Sequence, residues 1–269
     1  MANENDYKSE AIKFHNRNLS IKKYHKYVIE WLRDWFETNG KGCNAVIGIS
    51  GGKDSTVVAA LCTEALGADR VVGVLMPNGV QKDISDSHEV CDFLGIKKVI
   101  INIEDAYNCI SKQVGEGLGT EVSSNTTINL PPRLRMSTLY AVAQSCNGRV
   151  IGTSNRSEWL AGYFTRWGDG VSDCEPIIKL TVGEVIDLGL DLGLPEHLVK
   201  KTPSDGLCGQ TDEDKLGFTY AEFEDWLYNG ETDKKLNDKY EKMKSMVKNS
   251  AFKRNAIPEP EKFFGDDSL

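Results

Sequence analysis

The sequence predicts an α/β chain: a doubly wound parallel sheet flanked by helices, with a helical C-terminal appendage. Three observations predict it. Short apolar runs alternate with helix-length segments from Asn44 to Ser154, the rhythm of βαβ units that cover both faces of a parallel sheet. Glycines close two of the helical segments, at Gly67 and Gly95, where helices commonly stop. After Ser154 no further strand pattern follows, and charged helical stretches run to Pro258.

Residues 1–20 are polar and read as an N-terminal arm. Ile21, Tyr24, Val28, Trp31, Leu32 and Trp35 recur at helical spacing up to Phe36. "NAVIGIS" is a buried strand, Asp54 to Leu66 a helix, and "RVVGVLMP" a second strand. Asp83 to Leu94 is a helix, "KKVIINI" a strand, and Asp105 to Val114 a helix. Gly115 to Asn125 is rich in Gly, Ser and Thr and reads as a loop. Leu134 to Cys146 is a helix and "GRVIGTS" a fourth strand. Residues 181–200 are helical, Lys201 to Gly217 is a loop, and no linker or repeat divides the chain. The expectation is a single domain over residues 1–269.

Composition narrows the function. The net charge is -8, and no dense Lys/Arg run offers a nucleic-acid face. The lysines between Asp233 and Lys248 alternate with Asp and Glu, as on a solvated helix. Seven cysteines, an odd number without a CxxC pair, argue against a disulfide framework or a structural zinc site. With a polar start and no apolar run near the ~20 residues that span a bilayer, a cytoplasmic protein without membrane contact is expected.

The stretch "ISGGKDSTVV", residues 49–58, carries the chemistry. It lies where the first strand gives way to a helix. Adjacent glycines let backbone approach a ligand closely, and the helix start offers free N–H groups and the positive end of its dipole. Ser50 and Ser55 add hydroxyls. It is not a Walker A loop, because Ile47 stands where the first glycine belongs and Asp54 follows Lys53. An aspartate inside a phosphate loop implies a divalent cation between carboxylate and phosphate, and Mg²⁺ with one or two carboxylates is the usual case. Glu158, just past the fourth strand, is a candidate second carboxylate.

"SGGKDS" after a strand resembles the signature of the N-type ATP pyrophosphatases, which cleave ATP between the α and β phosphates and adenylate a substrate. Four further stretches follow in order. "NLPPRLRMSTLY", "GTSNRSEWLAGYFTRWGDGVSD", "KTPSDGLCGQTDEDKLGFTY" and "FKRNAIPEP" are together similar to the NAD synthetase family over about residues 20–264. The resemblance implies the adenine nucleotide alpha hydrolase-like fold. It also implies amidation of deamido-NAD with ATP and ammonia to give NAD, AMP and pyrophosphate through an adenylated nicotinate.

Carried over residue by residue, the resemblance makes Gly48, Ile49, Ser50, Gly51, Gly52, Lys53, Asp54 and Ser55 an ATP loop, with Thr153 and Ser204 as further ATP contacts. Asp54 and Glu158 become the Mg²⁺ ligands and the catalytic carboxylates. Arg133, Arg166, Asp173, Phe252 and Lys253 become contacts to deamido-NAD. There are departures. Val182 stands where the family often has a lysine, with Lys179 three residues earlier, and Phe252 replaces a histidine.

Residues 202–217, with Gly206, Gly209 and Gly217, have the composition of a closing lid or of a plain surface loop. The 49 residues before Ser50 are too few for a glutaminase domain, so free ammonia is the expected nitrogen donor. Family likeness implies a homodimer. The apolar helix Leu134 to Cys146 suits either its interface or the core. Two rival classes are a tRNA-modifying pyrophosphatase, which would show a basic face, and a non-catalytic nucleotide-binding module, which has no use for Asp54 and Glu158 together.

Overall fold

The computed structural model describes residues 20–81, 83–201 and 212–258. Four parallel strands form one sheet in the order β3-β2-β1-β4: β1 (Asn44–Gly48), β2 (Val71–Leu75), β3 (Lys97–Ile100) and β4 (Gly148–Val150). The two central strands hold Ala45, Val46, Ile47 and all of β2 out of water, as expected for strands covered on both faces. The register pairs Ala45 with Val71 and Asn44 with Gly148. Chain direction away from β1 therefore reverses between β2 and β4, and the carboxyl ends of β1 and β4 flank the crevice where ligands of open α/β sheets sit.

One face carries α1 (Ile21–Asn39), α2 (Lys53–Leu66) and α7 (Val182–Asp191), whose Leu32, Val57, Leu61, Val185 and Leu188 pack with Ala45 and Ile47. The other face carries α5 (Ser124–Ser145), whose Leu134, Leu139, Val142 and Ala143 pack with Val46, Val72 and Val150. Between strands lie α3 (Ile84–Leu94) and α4 (Glu104–Leu118). Past the sheet follow α6 (Arg156–Ala161), α8 (Glu196–Val199), α9 (Asp212–Leu216), α10 (Tyr220–Asn229) and α11 (Asn237–Arg254). The appendage has its own apolar cluster of Phe218, Phe223, Trp226, Tyr240, Met243 and Val247, joined to the sheet layer through Val182 and Ile186. No described helix is long and apolar enough to cross a membrane.

Several boundaries differ from the sequence reading. Instead of yielding to a loop at Gly115, α4 continues to Leu118 and ends on Gly119 in the left-handed conformation. α5 begins ten residues before Leu134 and runs through Pro131 and Pro132. Each proline removes a backbone bond, but the Ser123 hydroxyl caps the start by accepting from Thr126 N at 3.2 Å. Asn129 Nδ2 donates to Asn125 O at 2.8 Å, and Pro131 is buried. Packing outweighs propensity here. Residues 181–200 form two helices rather than one, and the stretch read as a loop from Lys201 to Gly217 contains α9.

Candidate functional site

The phosphate-loop stretch folds as a tight turn closed by its own hydroxyls. Ser50 N donates to Ser55 Oγ at 3.3 Å, Gly52 N donates to Ser50 Oγ at 3.2 Å, and Ser55 Oγ donates to Gly52 O at 3.1 Å. Thr56 Oγ1 adds a 2.8 Å bond to Gly52 O. Gly51 has φ +79°, and a Cβ there would stand 2.9 Å from Ser87 N and from Asp86 Cβ. The turn therefore requires glycine and is locked against α3. Ile49 N donates to Val74 O at 2.9 Å, tying the loop to the end of β2. The result is a helix N-terminus pointed at the crevice, with Asp54 in its first turn, a place that favours anions.

Asp54 is held from two sides. Lys53, its side chain 3% exposed, donates to Oδ2 at 2.8 Å. Asn155, which is 0% exposed, donates its amide to Oδ1 at 2.9 Å. The same Asn155 caps α6, its Oδ1 accepting from Glu158 N at 3.0 Å. One buried amide thus joins the phosphate loop to the helix that carries Glu158. Sequence reasoning missed Asn155, although an Asn three residues before an acidic residue is a helix-start signal. It also placed Lys53 in the ATP loop without an essential role.

Gly152, Thr153 and Ser154 leave the end of β4 beside this pair. Beneath them lies Glu175, which accepts from Ser154 N at 3.2 Å and from Ser172 Oγ at 3.0 Å. Burial pushes its pKa up to about 7, against those hydrogen bonds. Asp173 accepts from Val150 N at Oδ2, 2.8 Å, and from Tyr140 Oη at Oδ1, 3.3 Å. It holds the edge of β4, where Ile151 bridges Cys174.

Three of the five predicted acid-substrate residues, Arg166, Phe252 and Lys253, meet at the loop between α6 and Asp169. Arg166 Nη2 donates to Asn255 O at 3.2 Å, and its guanidinium lies over Trp167 at 4.7 Å and over Phe252 at 5.7 Å. Phe252, where the family pattern has histidine, supplies a ring face in place of a hydrogen bond. Lys253 Nζ donates to Gly162 O and Phe164 O, both at 2.7 Å, and so is a brace of the loop. Asp169 accepts from Thr165 N at 2.9 Å. Gly168 rests on Pro132, while Thr165 Oγ1 bonds Asn129 at 2.9 Å.

Arg133 is exposed on α5. Arg135, which was not singled out, faces the sheet edge and donates to Met76 O at 3.0 Å. Val182 is buried at the start of α7, where its N–H meets Glu224 at 2.8 Å, and Lys179 is exposed. Ser204 and residues 202–211 of the expected lid lie outside the described residues.

Among the described residues no group of three or more His, Cys, Asp and Glu side chains is placed to hold a metal. Two carboxylates on either side of Asn155 suit a different case, a Mg²⁺ that arrives with phosphate oxygens and keeps several waters. Burial pushes the Cys62 thiol up to about 12, so it is no nucleophile.

A parallel sheet with a glycine-bearing phosphate loop at its switch point, an aspartate in that loop and a second acidic helix start beside it defines a nucleotide-using α/β enzyme. The comparisons place it further. The NAD synthase family model matches residues 24–257, and the chain belongs to that family. It is 39% identical over 250 residues to the NH(3)-dependent NAD(+) synthetase of Pyrococcus furiosus, covering 88% of this chain and 94% of that one. Among solved structures, the NH3-dependent NAD synthetase of Campylobacter jejuni superposes with a TM-score of 0.74 at 29% identity, over 90% of this chain and 100% of that one. An NMN synthetase from Francisella tularensis superposes with a TM-score of 0.82 at 34% identity, over 91% and 100%. The family and the adenine nucleotide alpha hydrolase-like fold expected from the sequence are thereby both found, and with them the ammonia-dependent branch of the synthetases.

Proposed function

We propose that the protein activates the nicotinate carboxylate of deamido-NAD with ATP and amidates it with free ammonia, giving NAD, AMP and pyrophosphate. The observation that carries this is the buried Asn155 amide, which links Asp54 of the phosphate loop to the start of the Glu158 helix. A binding module needs the loop but has no use for Asp54 and Glu158 together.

In this reading the loop amides and the α2 N-terminus bind the triphosphate, and Asp54 and Glu158 hold Mg²⁺. When bound, Mg²⁺ neutralises charge on the pyrophosphate leaving group. The substrate carboxylate oxygen attacks the α-phosphorus, and the bond to the β-phosphate oxygen breaks. Ammonia then attacks the acyl carbon of the mixed anhydride, AMP leaves, and the nitrogen loses a proton. No protein nucleophile is needed, because positioning and electrostatics carry the acceleration. Arg166, stacked between Trp167 and Phe252, is a contact for the acid substrate on the rim. The active species is proposed to be a homodimer. Leu134, Leu139, Val142 and Ala143 are taken up by the core, so its apolar surface lies on α4 and the first half of α5, where Ile110, Val114, Leu118 and Ile128 are exposed.

The likeness to an NMN synthetase favours a second reading, in which the same chemistry acts on nicotinic acid mononucleotide. One assay separates the two. Protein, ATP, Mg²⁺ and ammonium are given with either acid, and glutamine replaces ammonium in a parallel tube. NAD from the dinucleotide at the higher kcat/KM supports the proposal, and preference for the mononucleotide selects the second reading. No amide from either acid sinks both.

A further inference from the structure

We infer that Glu175 is a positioning residue of the nucleotide site: its carboxylate, folded beneath the Gly152–Ser154 turn that leaves β4, sets where Asn155 stands and so where Asp54 and Glu158 are held. The geometry is tight. A Cβ on Gly152 would collide with the Glu175 carboxylate. Both carboxylate oxygens have donors: Oε2 takes Ser154 N at 3.2 Å, while Oε1 takes Ser172 Oγ at 3.0 Å and Ser154 Oγ at 3.5 Å. Gly152 N is bonded in turn to Cys174 O at 2.9 Å. The residue after Ser154 is Asn155, whose amide reaches Asp54 Oδ1 at 2.9 Å. The chain of contacts runs from Glu175 through Ser154 to Asn155, and there it divides toward Asp54 and the Glu158 amide.

An ionised acceptor grips these donors about twice as strongly as a neutral one. Burial is the main force against the charge of Glu175, and Asp169 in the loop after α6 adds to it; Asp173 lies on its own segment, and Tyr140 on α5 stays a neutral phenol, its own pKa raised. The carboxyl titrates at about 7. Protonation therefore slackens the turn under Asn155 within the ordinary working range, although Glu175 touches neither proposed metal ligand.

The inference rests on the proposed role of Asp54 and Glu158 toward MgATP, so the primary readout is direct MgATP binding by calorimetry on the full chain between about pH 6 and 9. Wild-type affinity is expected to fall as pH drops through about 7. Glu175→Gln keeps the shape and removes the charge. It is expected to bind MgATP about tenfold more weakly at the alkaline end, with no step near neutrality and an unchanged unfolding transition. Ser172→Ala removes one donor to the charged form and is expected to move the wild-type midpoint up by about half a pH unit. If Glu175→Gln fails to fold, that shift decides alone. Wild-type affinity and midpoint in the variants overturn the inference. Wild-type protein that binds no MgATP overturns the reading of the site, and this inference with it.

Discussion

Replacing Asn155 tests the link between the two halves of the site. Its side chain does two jobs in one buried place: it caps α6 at Glu158 N, 3.0 Å away, and it donates to the Asp54 carboxylate at 2.9 Å. Loss of an N-cap costs about 1 kcal/mol. Loss of a hydrogen bond to a charged acceptor costs about 1.5–3 kcal/mol. Asn155 is 0% exposed, so water cannot readily replace either partner. Asn155→Ala is therefore expected to lose about 2.5–4 kcal/mol of stability, read by urea unfolding followed by tryptophan fluorescence. Asn155→Asp separates the two jobs. An aspartate caps a helix well and suits its N-terminal dipole, but it faces Asp54 with like charge. It is expected to regain most of the cap while losing MgATP affinity through that like charge. An Asn155→Ala protein within about 0.5 kcal/mol of wild type would refute the reasoning, because neither bond could then matter to the fold.

Three other outcomes are expected. Asp54→Asn should abolish ATP-dependent pyrophosphate release and keep the circular dichroism spectrum, while lowering the melting temperature because the buried Lys53 and Asn155 lose their charged acceptor; retained turnover removes Asp54 from the chemistry. Gly51→Ala should cost about 1–3 kcal/mol from the left-handed φ of +79°, and it should weaken ATP binding further by pushing the loop off Ser87, which a paired melting and binding measurement would show. His25 lies between Asp191 at 2.9 Å and Glu64 at 2.8 Å. Burial opposes its charge, but these two bonds raise its pKa above the ordinary 6.5. Because the folded value lies above the unfolded one, the stabilisation is complete below pH 6.5 and is lost as pH rises through the raised value. Urea midpoints of wild type and His25→Gln should converge with rising pH; a constant gap would show that the pair contributes no proton linkage.

The sequence by itself determined the local grammar of this protein. Apolar runs with period and length suited to buried strands, glycine-closed helices and the Ser-Gly-Gly-Lys-Asp-Ser turn are all properties of neighbours along the chain, so they are legible without the fold. The family likeness was legible for the same reason, since its motifs lie in order along the chain. What only the tertiary structure decided depends on residues far apart. The sequence reads this helix only from Leu134, yet α5 runs back through Pro131 and Pro132, where Pro131 is buried and Asn129 and Pro132 brace the loop at Thr165 and Gly168. Lys253 reads as a substrate contact from the family likeness, and only the fold shows that its ammonium meets the carbonyls of Gly162 and Phe164. Asn155 carries only a local helix-start signal, and Glu175 lies outside the family stretches. Their parts arise only where the end of β4 comes to lie beside the loop after β1, 101 positions apart between Asp54 and Asn155. Local propensity is encoded within a few residues, whereas the partner of a buried polar group is chosen by where the sheet brings distant strands together.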